Sequence, residues 1–175
     1  DSTVLQATAS ACGTISVFAT IYAIVDIAMK SHGENLSFTQ EIMVVLLILN
    51  LGVGIGGAFG TVEDGSAGFC SFQGFMIQFN SFGTVLWLLK IVWDMYKWIV
   101  KKKRLDSLKA RFKRDVISLS ILTFVPSIVL LGMGYYTESG PWCWIGRDHS
   151  AARFACFYVP LVISYLGCLG VVSFI

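Results

Sequence analysis

Charge is what this sequence has least of. Asp, Glu, Lys and Arg together make up 14% of its 175 residues, whereas water-soluble domains carry about 25%. A soluble fold of this length has too few polar side chains to coat its surface, so a globular domain in water is excluded. Histidine is scarce too. The two present, His32 and His149, both fall in polar stretches. A bundle that grips haem through histidine has no ligand of that kind, and a membrane-embedded hydrolase has no histidine base. The five cysteines, Cys12, Cys70, Cys143, Cys156 and Cys168, form no Cys-x-x-Cys pair, which argues against a zinc or iron–sulfur centre. No segment has the basic start of a cleavable signal peptide. The expectation is a protein without catalysis, without a metal or other cofactor, and without a nucleic-acid partner.

Apolar residues are plentiful: 55% of the chain is hydrophobic and the mean hydropathy is +0.72. A transmembrane helix needs about 20 mostly apolar residues. Five stretches qualify, at roughly 4–29, 42–62, 69–100, 116–136 and 154–175. The fold class expected is all-α, one polytopic transmembrane helix bundle solvated by membrane lipid. The third stretch is longer than a bilayer requires, so it tilts or projects. The chain opens at Asp1 and stops inside an apolar run at Ile175, and so reads as truncated at its C-terminal end.

Orientation follows from lysine and arginine in short loops. Segment 101–115 carries Lys101, Lys102, Lys103, Arg104, Lys109, Arg111, Lys113 and Arg114, which places it in the cytoplasm. The N-terminus and the connections 63–68 and 137–152 then lie outside. The connection 30–40 lies inside, where Lys30 and His32 agree only weakly. Leu105, Leu108 and Phe112 recur at helical spacing among the basic residues and predict a short amphipathic helix lying on the membrane. Topology alone accounts for the charge. Attraction to anionic cytoplasmic lipid is a further reading.

Gly52, Gly56 and Gly60 recur every four residues and are expected on one face of the second helix, where small side chains let backbones approach. The surrounding glycine cluster lacks the Lys-Ser/Thr of a phosphate loop. Pro126 and Pro160 fall inside the fourth and fifth spans and should kink them, as shape or as a hinge. Cys70 and Cys143 share the outer side, each at a loop edge. A bridge between them would tether the outer loop over the bundle, a constraint worth about 4 kcal/mol for a loop near 70 residues. The bridge is the expected reading, and two unrelated free thiols are the alternative. The other three cysteines read as packing residues.

A cysteine opening the third helix, a basic second inner loop and a cysteine in the loop before the fifth helix resemble the pattern of G-protein-coupled receptors. The finer likeness is to the cyclic AMP receptor-like (class E) family first known from slime moulds. It is carried by Phe69-Cys70-Ser71-Phe72-Gln73-Gly74 with Gln78, by Leu86-Trp87, by Trp142-Cys143-Trp144-Ile145, and by Arg153-Phe154 with Phe157-Tyr158-Val159-Pro160-Leu161. The resemblance covers all five helices, mostly the third to fifth. The third helix ends Asp94-Met95-Tyr96, without the Asp-Arg-Tyr of rhodopsin-like receptors, a triplet this family also lacks. The resemblance implies the first five helices of a seven-helix receptor, an extracellular ligand of unspecified identity, a heterotrimeric G-protein inside and residence in the plasma membrane. A structural or accessory subunit with a receptor-like fold is the alternative. A transporter would need midplane charges or repeats, which the sequence does not display.

A receptor needs an outward pocket with a few convergent polar groups. Gln73, Ile77, Asn80, Ser81 and Thr84 fall near one face of the third helix with Cys70. Trp144, Arg147 and Arg153 add aromatic and cationic groups suited to an anionic or planar ligand. Interfacial anchoring is the alternative for the tryptophans, and the better one for Trp142. At the inner end Lys90 and Asp94 form an i,i+4 pair, with Lys97 one turn further. They read as an ionic latch that changes partners, or as a static pair snorkelling to the interface. Asp26 is expected to pair with one of these lysines.

Overall fold

The computed structural model describes residues 2–31, 36–60 and 67–173. His32, the connection 63–66 and the expected span ends at 61–62 and 174–175 lie outside the described residues. Four long helices, α1 Ser2–Lys30, α2 Phe38–Ala58, α3 Ala67–Ile99 and α4 Leu105–Gly132, lead into a two-stranded hairpin, β1 Tyr136–Glu138 and β2 Cys143–Ile145. A fifth helical run, α5, spans Arg147–Ser173. All five helices are long and apolar enough to cross a membrane.

Local chemistry sets the ends. α2 begins four residues before the expected start because Ser37 and Gln40 form a reciprocal capping box, which satisfies donors that a helix start leaves open. It stops at Ala58, where Phe59 is the C-cap and Gly60 takes φ +60°. Gly60 therefore lies past the helix, and only Gly52 and Gly56 of the expected stripe belong to it. α4 begins at Leu105 rather than near 116. Nothing between 105 and 116 breaks a helix, so the separate amphipathic helix expected on the membrane surface is instead the first turns of α4. Its apolar side turns inward: Leu108 is buried, and the Phe112 ring meets Phe38 and Trp87 with centroids 6.1 and 5.7 Å away. α4 ends at Gly132, short of 136, because Met133 caps it and Gly134 turns the chain with φ +70°.

α3 is the hub, in contact with α2, α4, α5 and both strands, while α1 packs on α2. Side chains of α3 seated directly on α2 explain its small residues. A Cβ on Gly52 would sit 2.3 Å from the Asn80 side chain, and one on Gly56 would sit 2.7 Å from Ile77. The outward faces stay apolar, with Phe18 and Tyr22 of α1 69% and 73% exposed. Such a surface is matched to lipid, where helices have no hydrophobic drive to hide it.

The hairpin is the one departure from all-helical structure among the described residues, and it pairs Tyr136 with Ile145, Thr137 with Trp144 and Glu138 with Cys143. Ser139-Gly140-Pro141 supplies the turn, with Gly140 at φ +114°. Pro126 is accommodated within α4. Pro160 is preceded by a π-helical segment, Phe154–Tyr158.

Candidate functional site

The outer end of α3 is where the sequence-expected polar residues and the tether meet. Cys70 and Cys143 form a disulfide that closes 73 residues of chain, so the hairpin is held against α3. It can lie close because residue 74 is glycine: a Cβ there would fall 2.8 Å from the Tyr136 ring. Tyr136 and Ile145 of the hairpin form a buried apolar cluster with Leu130 of α4. The Tyr136 hydroxyl donates to the Ser127 carbonyl at 3.0 Å. Burial pushes its phenol well above the usual tyrosine range, because the ionised form would lose its water.

Gln73 is 1% exposed, and both ends of its amide are in use. Its Nε2 donates to the carbonyls of Gly56 and Gly60, each at 2.7 Å, closing off the C-terminal end of α2, where helical carbonyls lack intrahelical donors. Its Oε1 accepts the Cys143 N–H at 2.9 Å. One side chain thus ties α3 to the end of α2 and to the disulfide strand. Gln78 is fully buried. It donates to the Cys156 carbonyl at 3.2 Å and accepts the Trp144 indole N–H at 2.7 Å.

Trp144 also packs edge-on against Phe157, centroids 5.3 Å apart, and carries the Arg153 guanidinium over its ring at 5.3 Å. Arg153 donates to the Ile145 carbonyl at 2.6 Å and to the Ser139 hydroxyl. The structure therefore brings Gln73, Trp144 and Arg153 together around the tether. Arg147 stands exposed at the rim. Ile77 and Asn80 face the glycines of α2, and the Asn80 amide also donates to the Met76 carbonyl at 2.7 Å. Ser81 is half-buried one turn deeper.

At the inner end four charges form one group. Lys90 pairs with Asp94 and, at 3.1 Å, with Asp115 of α4; Lys97 reaches Asp94 at 2.6 Å. Two lysines and two carboxylates leave no net charge, which lowers the cost of keeping them at membrane depth. Phe38 and Trp87 add ring faces 5.9 and 5.7 Å from the Lys90 ammonium. Beside Asp94 a cavity of about 420 Å³ opens between α2 and α3, walled by Ile42, Leu46, Met95 and Trp98. Asp26 does not join this group; it pairs with Lys30 on its own helix at 2.8 Å, because α1 sits across α2 from α3. Lys101, Lys102, Lys103, Arg104, Arg111, Lys113 and Arg114 are all exposed.

Two participants were not among the residues singled out for these sites. Gln78 lies five residues beyond Gln73 and so falls off the polar stripe. The available signal was an amide inside an apolar helix, a group that demands partners. Asp115 sits at the edge of the fourth apolar run, where a carboxylate looks like a boundary marker rather than a partner for another helix.

The sequence matches the model of the slime mold cyclic AMP receptor family over residues 35–173. Cyclic AMP receptor 2 of Dictyostelium discoideum is 31% identical over 92 residues, which cover 52% of this chain and 24% of that protein. Cyclic AMP receptor 1 of the same organism is 31% identical over 94 residues, 53% of this chain and 23% of that protein. Receptor 4 is 31% identical over 99 residues, covering 56% and 22%. The matched region thus spans about a quarter of each relative's length. Its five apolar helices, their lipid-suited outer faces and the match through helices two to five make this a multi-pass membrane protein, and the chain belongs to the slime mold cyclic AMP receptor family.

Proposed function

We propose that the protein works as a seven-transmembrane receptor in the plasma membrane, taking an extracellular ligand at the tethered end and engaging a heterotrimeric G-protein at the basic end. The observation that carries this reading is the outer constellation itself: a hairpin clamped on α3 by the Cys70–Cys143 disulfide and by the Gln73 and Gln78 amides. Ligand entry needs no chemistry. It needs only that one of two bundle conformations hold the ligand better.

The ligand class that suits this end is anionic with a planar ring. Exposed Arg147 is the proposed first contact. Trp144 and Arg153 form the proposed wall, Gln73 holds the hairpin behind it through its bond to Cys143, and Ile77 and Asn80, packed on the α2 glycines, and Ser81 support it from below. Cyclic AMP, named in the relatives, fits that class and is the first compound to try. At the inner end the proposed latch is Lys90 with Asp94, joined by Lys97 and Asp115. Lys101, Lys102, Lys103, Arg104, Arg111, Lys113 and Arg114 are the proposed contacts for the G-protein and for anionic lipid.

The test is G-protein activation in cells bearing the full-length protein, with cyclic AMP and related anionic nucleotides added outside. A saturable response, weakened about tenfold or more in potency by Arg147→Ala, is expected. Surface-expressed protein that answers no such compound would favour an accessory subunit with a receptor-like fold.

A further inference from the structure

Pro160 has no N–H, so the carbonyl of Cys156, four residues earlier, loses its normal helical donor. The Val159 N–H cannot serve it either, since that group bonds to the Phe154 carbonyl five residues back and so forms the π segment. A donor from another helix reaches this carbonyl, the Gln78 amide of α3. The opposite atom of the same amide holds the Trp144 indole of the tethered hairpin. Trp144 in turn rests on Phe157 and Tyr158 of the same π segment. One buried side chain on the central helix therefore connects the outer loop to the only π-helical segment among the described residues. Such segments differ from an ordinary helix by one inserted residue and are often found at functional sites.

We infer that Gln78 is the positioning residue through which the tethered hairpin sets the register of α5. With the Trp144 indole seated, the amide is held in place and its Nε2 supports the Cys156 carbonyl, which keeps the π segment open. When the hairpin lifts the indole away, the amide is freed and the segment rewinds. One residue of register moves the inner half of α5 by about 1.5 Å of rise and about 100° of rotation relative to the outer half. That ligand binding is what lifts the hairpin rests on the receptor reading given above. The linkage itself does not.

The linkage is tested without ligand, on full-length protein in detergent micelles, by thermal unfolding of a set of variants. Gln78→Ala should lower Tm by about 5 °C, because a buried carbonyl and a buried indole N–H both lose their partner. Pro160→Ala supplies a backbone N–H to Cys156, so it should raise Tm more in the Gln78→Ala chain than in the parent. Trp144→Phe should lower Tm in the parent and have little effect once Gln78 is alanine. Equal Pro160→Ala shifts in both backgrounds, with an undiminished Trp144→Phe loss, would reduce Gln78 to a filler and overturn the inference. Gln78→Met, which keeps the volume, carries the same comparison if the alanine variant fails to fold. Should neither accumulate, the Trp144→Phe and Pro160→Ala pair in the parent decides: non-additive shifts support the linkage and additive ones refute it. A protein that shows the coupling but answers no ligand keeps the linkage and loses only its proposed trigger.

Discussion

The two ends of α3 are held by different physics. At the outer end the partners are neutral and directional: a disulfide, the Gln73 amide bonded to Gly56, Gly60 and Cys143, and the Gln78 amide bonded to Cys156 and Trp144. At the inner end the partners are ionic: Lys90 and Lys97 share Asp94, and Lys90 also reaches Asp115. The two sets of partners are centred roughly 30 Å apart along the helix. Amide bonds with fixed geometry hold one arrangement. Ammonium groups have rotatable donors and can pass from one carboxylate to the other with little reorientation. The proposed receptor draws on this difference, with fixed partners to pass on a displacement of the loop outside and exchangeable ones for the proposed latch inside.

The largest effect is expected from cutting the tether. Cys70→Ser, or reduction of the wild type, should cost about 4 kcal/mol through the freed 73-residue loop, read as a lower unfolding temperature in detergent. Asp94→Asn comes next. It strands Lys97, 16% exposed, leaves Lys90 with Asp115 alone, and should cost about 3 kcal/mol, as removal of one partner from a buried ion group does. Asp115→Asn should cost clearly less, because Lys90 keeps Asp94. Equal losses from the two carboxylates would show that the inner charges do not form one shared group.

Gln73→Leu should cost about 2 kcal/mol by leaving the α2 carbonyls and the Cys143 N–H without their partner. Its penalty should be the same at low and high salt, in contrast to that of the exposed Asp26–Lys30 pair, which is worth little and is screened. The smallest effect belongs to Tyr136. Its folded-state pKa lies above the ordinary value of 10.0, so its contribution is complete below pH about 10 and is lost above it, as the unfolded chain ionises and the folded one does not. Tyr136→Phe should cost about 1 kcal/mol at neutral pH and should flatten that alkaline decline in a pH series of unfolding temperatures.

What the sequence made legible follows the same division between bulk and directional chemistry. Five apolar runs and one basic loop announce a membrane bundle because lipid selects on composition over whole spans. The Cys70–Cys143 pairing was readable because only those two sulfurs share an outer loop edge. Features set by single hydrogen bonds were not readable. The capping of Gln40 onto Ser37 moved the start of α2, and the inward burial of Leu108 joined an expected surface helix to α4. The hairpin had a local sign in Ser139-Gly140-Pro141, but its strands are three residues each, too short to show an alternating pattern. Gln73 was singled out as a ligand contact; its bonds to the end of α2 depend on where that helix stops, which spacing along α3 does not contain.

The most direct measurement is of sidedness, on intact cells carrying the full-length protein. A membrane-impermeant maleimide should label Cys70 and Cys143 only after an extracellular reductant has been applied, while a cysteine placed at Lys102 (Lys102→Cys) should stay unlabelled until the membrane is permeabilised. Labelling of Cys70 and Cys143 that needs permeabilisation, or labelling of position 102 from outside, would place the tether and the basic loop on the wrong sides of the bilayer and contradict the receptor reading at its root.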